Sequence, residues 1–280
     1  EDTIASLDLT LSTTATTTSD VRSYDVTGSA NNRNYEVTID GANKLTVTKK
    51  ELTANDLEFT DTPITKVYDG KTDATVTVQI NDSAKVKAED VLPTVTGTAT
   101  YNSKDVKDAS MVTFVTAKTE SANYILPAGL TIEHAGNITK RVISIKSVTT
   151  APKQYDRDTN AWSCITDVSF DNLVSGETLT KSGLQNGTYV TGDYGINSAN
   201  FNSANVNEAN KITGEVGITN PNLNYTFKES GKETSTAPFT TTGSITPANS
   251  WSLTPVTDLT IRYNNRDLRT YTPNWSTLLP

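Results

Sequence analysis

One stretch of the chain carries aromatic and amide side chains suited to binding a carbohydrate. They are Tyr189, Tyr194, Phe201, Asn202 and Asn205. Aromatic rings can cover the CH groups of a sugar and amides can bind its hydroxyls, and tyrosine and asparagine are common in adaptable binding loops. The sequence therefore predicts a ligand-binding surface that includes the polar loop 198–210. The alternative is that Tyr189 lies in the core and that the asparagines form a solvated loop.

A Tyr-Asp pair occurs twice, followed by glycine in the first copy and by arginine in the second. The copies are Tyr68-Asp69-Gly70 and Tyr155-Asp156-Arg157. Asp-Gly favours a tight turn with positive φ, and a tyrosine ring can cover the end of a core while its hydroxyl forms a hydrogen bond. A structural turn is predicted at both copies, with ligand binding as the alternative. The arginine predicts a different turn in the second copy.

Acidic side chains in two short stretches are the candidates for a calcium site. They are Asp82, Glu89 and Asp90 in one stretch, and Asp105 and Asp108 in the other. Calcium prefers oxygen ligands, but the chain has no Asp-x-Asp-x-Asp loop. Solvated acids are therefore the favoured interpretation, and no metal or other cofactor is predicted.

Few residues offer nucleophilic chemistry. His134 is the only histidine, which excludes a histidine-based metal site within one chain and argues against a Ser-His-Asp triad. Cys164 is the only cysteine, so no intrachain disulfide can form, and it is predicted to be a small core residue. Lysine–asparagine cross-links remain a hypothesis for Lys49, Lys50, Lys140 and Asn137. The chain is predicted not to be an enzyme.

The charge of the chain argues against two classes of partner. Its net charge is -8 and its pI is about 4.8. Nucleic-acid-binding proteins carry a basic surface, and binding to anionic membranes also needs basic residues. The sequence contains no apolar run long enough for a membrane span. Neither nucleic acid nor membrane insertion is predicted.

Short blocks recur in the same order along the chain. Besides the Tyr-Asp pair, with Tyr263 as a weaker third copy, the blocks are Asn34-Tyr35, Asn123-Tyr124 and Asn224-Tyr225, and Leu45–Lys49, Ile138–Arg141 and Ile245–Pro247. Their spacing of roughly 90 to 110 residues is that of an immunoglobulin-sized sandwich. We predict the closing strands of a partial repeat at 1–48, a first complete unit at 49–139, a longer second unit at 140–246 and opening strands at 247–280.

Apolar residues alternate with polar ones along most of the chain, and Val76, Val78 and Ile80 are one example. Alternation with a period of two predicts strands, so the fold is predicted to be all-β, built as tandem immunoglobulin-like β-sandwiches in an extended array. One helical turn is predicted within 82–91. A last strand is expected to run almost directly into the next first strand, which favours a stiff rod in which each unit has its own core. Loop 198–210 is expected to explain part of the greater length of the second unit.

Several of these blocks resemble repeats of large bacterial surface proteins. Lys66–Thr72 resembles the signature of YDG-type repeats, and 123–127 and 136–140 resemble the closing half of that repeat. The segments 24–28, 34–38 and 45–49 resemble the end of a related MBG-type module. This resemblance implies an extracellular multi-repeat β-sandwich protein that acts in adhesion or as a stalk, and it brings no catalytic residues.

The favoured function is a non-catalytic structural and adhesive segment at the bacterial cell surface, with the export signal and anchor outside it. The partners expected are host glycans or the extracellular matrix and mucin. One alternative is a specific carbohydrate- or protein-binding module, and another is the accessory β-sandwich region of a secreted glycoside hydrolase. The partial repeats at the two ends are expected to pair with a neighbouring chain or to extend an adjacent sheet, because exposed strand edges seek partners.

Overall fold

The computed structural model describes residues 7–32, 34–36, 38, 40–41, 43–185 and 188–248. Within these residues the regular elements are strands and short 3₁₀ turns. The turns lie at Ala54–Asp56, Asp82–Ala84 and Trp162–Cys164. The prediction of an all-β fold is confirmed, and so is the helical turn predicted within 82–91. Among the described residues, no helix is long and apolar enough to cross a membrane.

The N-terminal region forms a small antiparallel sheet. Its strands are β1 (Leu9–Thr13), β2 (Ser23–Ala30) and β3 (Lys44–Thr46), in the order β1-β2-β3. Most of their side chains are exposed, but Tyr24 is buried and its hydroxyl donates to the Asp20 carbonyl (2.8 Å). Within the described residues this sheet does not extend the sheets that follow. Pairing of this end with a neighbouring chain stays a prediction, and the predicted segment 247–280 lies outside the described residues except for 247 and 248.

Ten strands follow in the predicted first unit. They are β4 (Lys50–Glu51), β5 (Leu57–Phe59), β6 (Ile64–Val67), β7 (Asp73–Ala74), β8 (Val78–Ile80), β9 (Gly97–Tyr101), β10 (Met111–Thr116), β11 (Thr119–Glu120), β12 (Tyr124–Leu126) and β13 (Thr131–Thr139). The largest sheet has the order β6-β13-β10-β9-β7. Strand β13 is antiparallel to β10 and parallel to β6, so it joins the middle of the unit to its beginning.

Twelve strands are described in the predicted second unit. They are β14 (Arg141–Val142), β15 (Ser144–Thr150), β16 (Lys153–Gln154), β17 (Ile165–Asp171), β18 (Gly183–Gln185), β19 (Thr188–Val190), β20 (Tyr194–Phe201), β21 (Lys211–Ile218), β22 (Tyr225–Glu229), β23 (Lys232–Thr234), β24 (Thr236–Thr242) and β25 (Ile245–Thr246). Only Lys140 separates β13 from β14, as expected for a last strand that runs almost directly into the next first strand.

The strand pairings of residues 50–139 recur in residues 141–246. The parallel pairs β4–β12 and β6–β13 have counterparts in β14–β22 and β16–β25. The antiparallel pairs β5–β8, β9–β10 and β10–β13 have counterparts in β15–β17, β20–β21 and β21–β24. The two parts of the chain therefore share one pattern of pairing.

The buried side chains form two clusters, and one of them crosses residue 140. The smaller cluster lies in the first unit and contains Leu52, Leu57, Ile80, Ala84, Tyr124 and Leu126. The larger cluster runs from Ile64, Tyr68 and Ile138 of the first unit to Tyr225 and Ile245 of the second. The expectation of a separate core for each unit was therefore wrong. Apolar contact continues across the predicted boundary because tyrosines of both units are buried there.

Candidate interface site

The first Tyr-Asp-Gly copy forms a turn held by a lysine. The Lys66 Nζ donates to the Asp69 carboxylate (2.8 Å) and to the carbonyls of Lys71 (2.9 Å) and Asp73 (2.8 Å). The same carboxylate accepts the N–H of Lys71 (2.9 Å). Gly70 has φ of 78°, the left-handed conformation that glycine adopts without steric cost. We call residues 66–73 the first turn.

The second copy, residues 153–160, forms the same arrangement, which we call the second turn. The Lys153 Nζ contacts the Asp156 carboxylate (2.9 Å) and the carbonyls of Asp158 (2.9 Å) and Asn160 (2.8 Å). The Asp158 N–H donates to Asp156 (3.0 Å). Arg157 has φ of 70°. The prediction of a different turn here was wrong, because the arginine adopts the backbone conformation of the glycine it replaces.

The lysine of each turn stabilises that turn, and its role was missed in the sequence. Lys66 and Lys153 both stand two residues before the tyrosine, and this shared spacing was the available signal. Burial opposes ionisation of Asp69, but hydrogen bonds from Lys66 and from the Lys71 amide lower its pKa overall. In the second turn the hydrogen bond from Lys153 lowers the pKa of Asp156.

The tyrosine of the first turn meets the second unit through a shared carboxylate. The Tyr68 hydroxyl donates to Glu177 Oε1 (2.6 Å), and the Tyr225 hydroxyl donates to Glu177 Oε2 (2.5 Å). The two rings meet edge to face, with centroids 5.5 Å apart. The Val174 N–H donates to the Tyr225 hydroxyl oxygen (3.0 Å). The prediction that Tyr68 covers a core and bonds through its hydroxyl is confirmed.

Burial controls the ionisation of both tyrosines. It raises the pKa of Tyr68, and the hydrogen bond to Glu177 raises it further. The pKa of Tyr225 is raised strongly for the same two reasons, in the same order. Both hydroxyls therefore stay protonated at neutral pH and donate to the carboxylate.

A second contact lies beside the tyrosines and uses an asparagine side chain. The Val106 N–H donates to Asn224 Oδ1 (2.8 Å), and Asn224 Nδ2 donates to the Asp105 carboxylate (2.9 Å). The hydrogen bond from Asn224 and the one from Lys104 lower the pKa of Asp105. We call Tyr68, Asp105, Glu177, Asn224 and Tyr225 the junction. Tyr68 and Asp105 of the first unit contact Glu177 and Asn224 of the second across the predicted boundary, whereas Tyr225 binds Glu177 within the second unit.

The same geometry joins the N-terminal region to the first unit. The Val21 N–H donates to Asn123 Oδ1 (3.1 Å), and Asn123 Nδ2 donates to the Asp20 carboxylate (3.0 Å). The Tyr124 hydroxyl donates to the Asp90 carboxylate (2.6 Å), and this bond lowers the pKa of Asp90. Asp20, Asp90, Asn123 and Tyr124 thus correspond to Asp105, Glu177, Asn224 and Tyr225.

The three Asn-Tyr blocks found in the sequence are not equivalent in the structure. Tyr124 and Tyr225 are 0% and 2% exposed, whereas Tyr35 is 43% exposed. Only the later two blocks therefore contribute to a buried contact. The dipeptide alone did not reveal this, because the acid that accepts each hydroxyl lies elsewhere in the sequence.

The asparagine-rich loop has a counterpart of equal length in the first unit. In the first loop (102–111) and the second loop (202–211) one asparagine side chain accepts two backbone N–H groups and donates to one backbone carbonyl. For Asn102 the partners are Ser110, Met111 and Asp108, and for Asn202 they are Asn210, Lys211 and Glu208. The second loop is therefore not an insertion, and that expectation was wrong. The second unit is longer before β20, where it forms the β18–β19 hairpin.

The predicted carbohydrate-binding side chains do not form one surface. Tyr194 and Phe201 are buried in the larger core cluster, whereas Tyr189 is 65% exposed. Asn202 stabilises its own loop, and Asn205 Nδ2 contacts Glu208 (3.1 Å). The core alternative for Tyr189 was also wrong. Tyr189 is the one aromatic residue of this set that a ligand can reach, and a binding role for it stays a prediction.

The residues considered for nucleophilic, cross-linking or metal-binding chemistry have the following places in the structure. Cys164 is buried, as predicted, and burial raises the pKa of its thiol. Lys49 contacts Glu120, Lys50 donates to the Ala84 carbonyl, and Asn137 is exposed. Within the described residues, no three His, Cys, Asp or Glu side chains form a group suited to a metal ion.

One part of the chain matches a known protein family. Residues 48–132 match the family model of the YDG domain, and this range contains the first turn, the first loop and Asn123-Tyr124. The chain matches no curated protein and no solved structure. The predicted YDG-type resemblance is confirmed for this range by the match, and the tandem array and the surface role stay predictions.

Proposed function

We propose that residues 49–139 and 140–246 are consecutive YDG-type units of a tandem array. The array would be a non-catalytic structural and adhesive segment of a protein at the bacterial cell surface. The matching strand pairings support this proposal. The acidic net charge and the single cysteine also fit such a protein. Host glycans, mucin or matrix proteins are the proposed partners.

The observation that carries the proposal is the repetition of the asparagine contact. Asn123 and Asn224 each bind the backbone N–H of a valine and the carboxylate before that valine, and these partners lie in the preceding part of the chain. A contact repeated at this spacing fixes one unit against the next in a defined orientation. An array fixed in this way acts as a stalk that holds its parts at a set distance.

Small-angle X-ray scattering of the full chain tests the stalk. A Glu177→Ala/Asn224→Ala variant should broaden the distribution of interatomic distances, because the junction loses both of its polar contacts. The matched control is Glu208→Ala/Asn205→Ala in the second loop, and its scattering curve should equal that of the wild type. Identical curves for the junction variant and the wild type would contradict a junction that fixes the units.

Glycan binding is a second candidate function, favoured by the exposure of Tyr189. An exposed aromatic ring on a hairpin offers a face to the CH groups of a sugar. The full chain should bind a glycan or mucin array saturably, and Tyr189→Ala should lose this binding. Trp162→Ala is the control, because Trp162 is also exposed (54%) but lies outside the β18–β19 hairpin. Equal binding by both variants would exclude Tyr189 as the site.

A further inference from the structure

The far end of the second unit carries a pocket that repeats the first unit's side of the junction. Its lining includes Tyr155, Asn205, Val206, Glu208 and Pro247, and we call it the end pocket. The second turn supplies the tyrosine and the second loop supplies the asparagine and the valine. The pocket therefore lies where two structurally repeated segments meet.

Three polar groups of the end pocket make no hydrogen bond to any described residue. They are the Tyr155 hydroxyl, Asn205 Oδ1 and the Val206 N–H. The other polar atoms of Asn205 are engaged: its N–H donates to Ser203, its Nδ2 donates to Glu208, and its carbonyl accepts from Glu208 and Ala209. The loop is thus fully formed, while Asn205 Oδ1 and the Val206 N–H have no hydrogen bond within it.

The matching groups of the first unit are all bonded to the second unit. The Tyr68 hydroxyl contacts Glu177, and the Asp105 carboxylate and the Val106 N–H contact the two ends of the Asn224 amide. The backbone around the two tyrosines is also the same, because Tyr68 and Tyr155 each donate their N–H to the last threonine of their unit (2.9 and 2.8 Å).

Building on the proposed array, we propose that the end pocket docks a further YDG-type unit. The incoming unit would supply an asparagine followed by a buried tyrosine, and an acid that accepts both tyrosine hydroxyls. The asparagine would accept the Val206 N–H and donate to Asn205 Oδ1. The acid would take the position of Glu177 and accept the Tyr155 hydroxyl.

Two substitutions distinguish this side of the second unit from the first unit's side of the junction. Lys104 lies near the Tyr68 ring in the junction, with its Nζ 5.9 Å from the ring centroid, and Ala204 holds the matching position in the second loop. Arg157 replaces Gly70, where an added Cβ would lie 3.1 Å from Val174 and 3.5 Å from Glu177. Lys104 therefore has no counterpart in the second loop. The partner needs more space beside residue 157 than Val174 leaves beside Gly70.

A tandem duplication within the full chain tests the proposal. A second copy of residues 140–246 is placed after residue 246, ahead of 247–280, and hydrogen exchange of ¹⁵N-valine amides is followed by NMR. The Val206 amide of the inner copy should exchange at least tenfold more slowly than the same amide in the unduplicated chain. Substituting Val206→Ile in one copy at a time assigns the two signals. Asn224→Ala in the added copy alone should restore fast exchange.

The outcomes separate this proposal from the proposed function. In the unduplicated chain the Val106 amide should already exchange slowly, and fast exchange there would contradict the junction itself. Slow exchange at Val106 together with fast exchange at the inner Val206 would contradict the docking proposal but would leave the junction and the proposed function intact. Inserting residues 49–139 in place of the added copy gives a second arm with Asn123, Tyr124 and Asp90. Fast exchange at the inner Val206 with both inserts overturns the docking proposal.

Discussion

The first loop and the second loop have the same internal hydrogen bonds but different surroundings. In the first loop, Asp105 and Val106 bind Asn224 of the following unit. In the second loop, Asn205 and Val206 make no such contact with the described residues. The same difference separates the first turn from the second turn. Each segment therefore takes its shape from its own residues, and docking uses a surface that is already formed.

The largest expected effect comes from removing the shared carboxylate. Glu177→Ala leaves two buried tyrosine hydroxyls without an acceptor, so the free energy of unfolding should fall by about 2–3 kcal/mol. Glu177→Gln keeps an acceptor and should cost about half as much. Urea unfolding followed by tyrosine fluorescence measures both. A loss below about 0.5 kcal/mol for Glu177→Ala would mean that the hydroxyls find other partners.

Substitution of the residue with positive φ should change the stability of the chain in opposite directions in the two turns. Gly70→Ala should destabilise the chain by about 1–2 kcal/mol, because alanine is strained at positive φ and its Cβ approaches Val174. Arg157→Gly should stabilise it by about 0.5 kcal/mol, because the strain is relieved. Thermal unfolding of both variants checks the pair. Destabilisation by Arg157→Gly would show that the arginine side chain makes a contact worth more than the strain.

A matched pair of asparagine variants sharpens the comparison of the loops. Asn224→Ala removes two hydrogen bonds across the junction and should cost about 1–2 kcal/mol. Asn205→Ala should change stability by less than about 0.5 kcal/mol, because its described side-chain contact is an exposed one. Denaturant midpoints at a constant m-value provide the measurement. Equal losses for the two variants would remove the distinction between the docked and the undocked loop.

The ionisation of Tyr68 and Tyr225 should have the smallest effect on stability at neutral pH. Burial raises the pKa of Tyr68 and Tyr225, so the folded state favours their protonated forms. Their stabilisation is complete below the ordinary tyrosine pKa of about 10 and declines as the pH rises through the raised values. The stability of the wild type should therefore fall more steeply above pH 10 than that of Tyr68→Phe/Tyr225→Phe. Parallel pH profiles would contradict this.

The Asp105 carboxylate should make the stability of the chain depend on pH in the acid range. Its pKa is lowered, first by the Asn224 amide. Its stabilisation is therefore present above the ordinary aspartate pKa of about 3.9 and is lost as the pH falls through the lowered value. Asp105→Asn should flatten the acid limb of the stability profile measured by circular dichroism.

Much of the fold was accessible from the sequence, because alternation and spacing record which faces are buried. The tyrosines of the two turns were found in this way. The equivalence of the two loops was missed, although Asn-Ser, valine and alanine recur at matching positions in 102–109 and 202–209. The many asparagines of the second loop concealed this pattern. The role of Glu177 could not be predicted from the sequence, because no local pattern marks an acid that accepts hydrogen bonds from two tyrosines distant in sequence.

The parallel pairing of β6 with β13, and of β16 with β25, has a mechanical consequence. In each pair an early strand lies beside a late one, and the chain leaves the two strands at opposite ends. Traction on the ends of the molecule would slide these strands past each other, so that all hydrogen bonds of a pair carry the load together. A chain arranged in this way resists stretching better than one whose terminal strands can be peeled apart bond by bond.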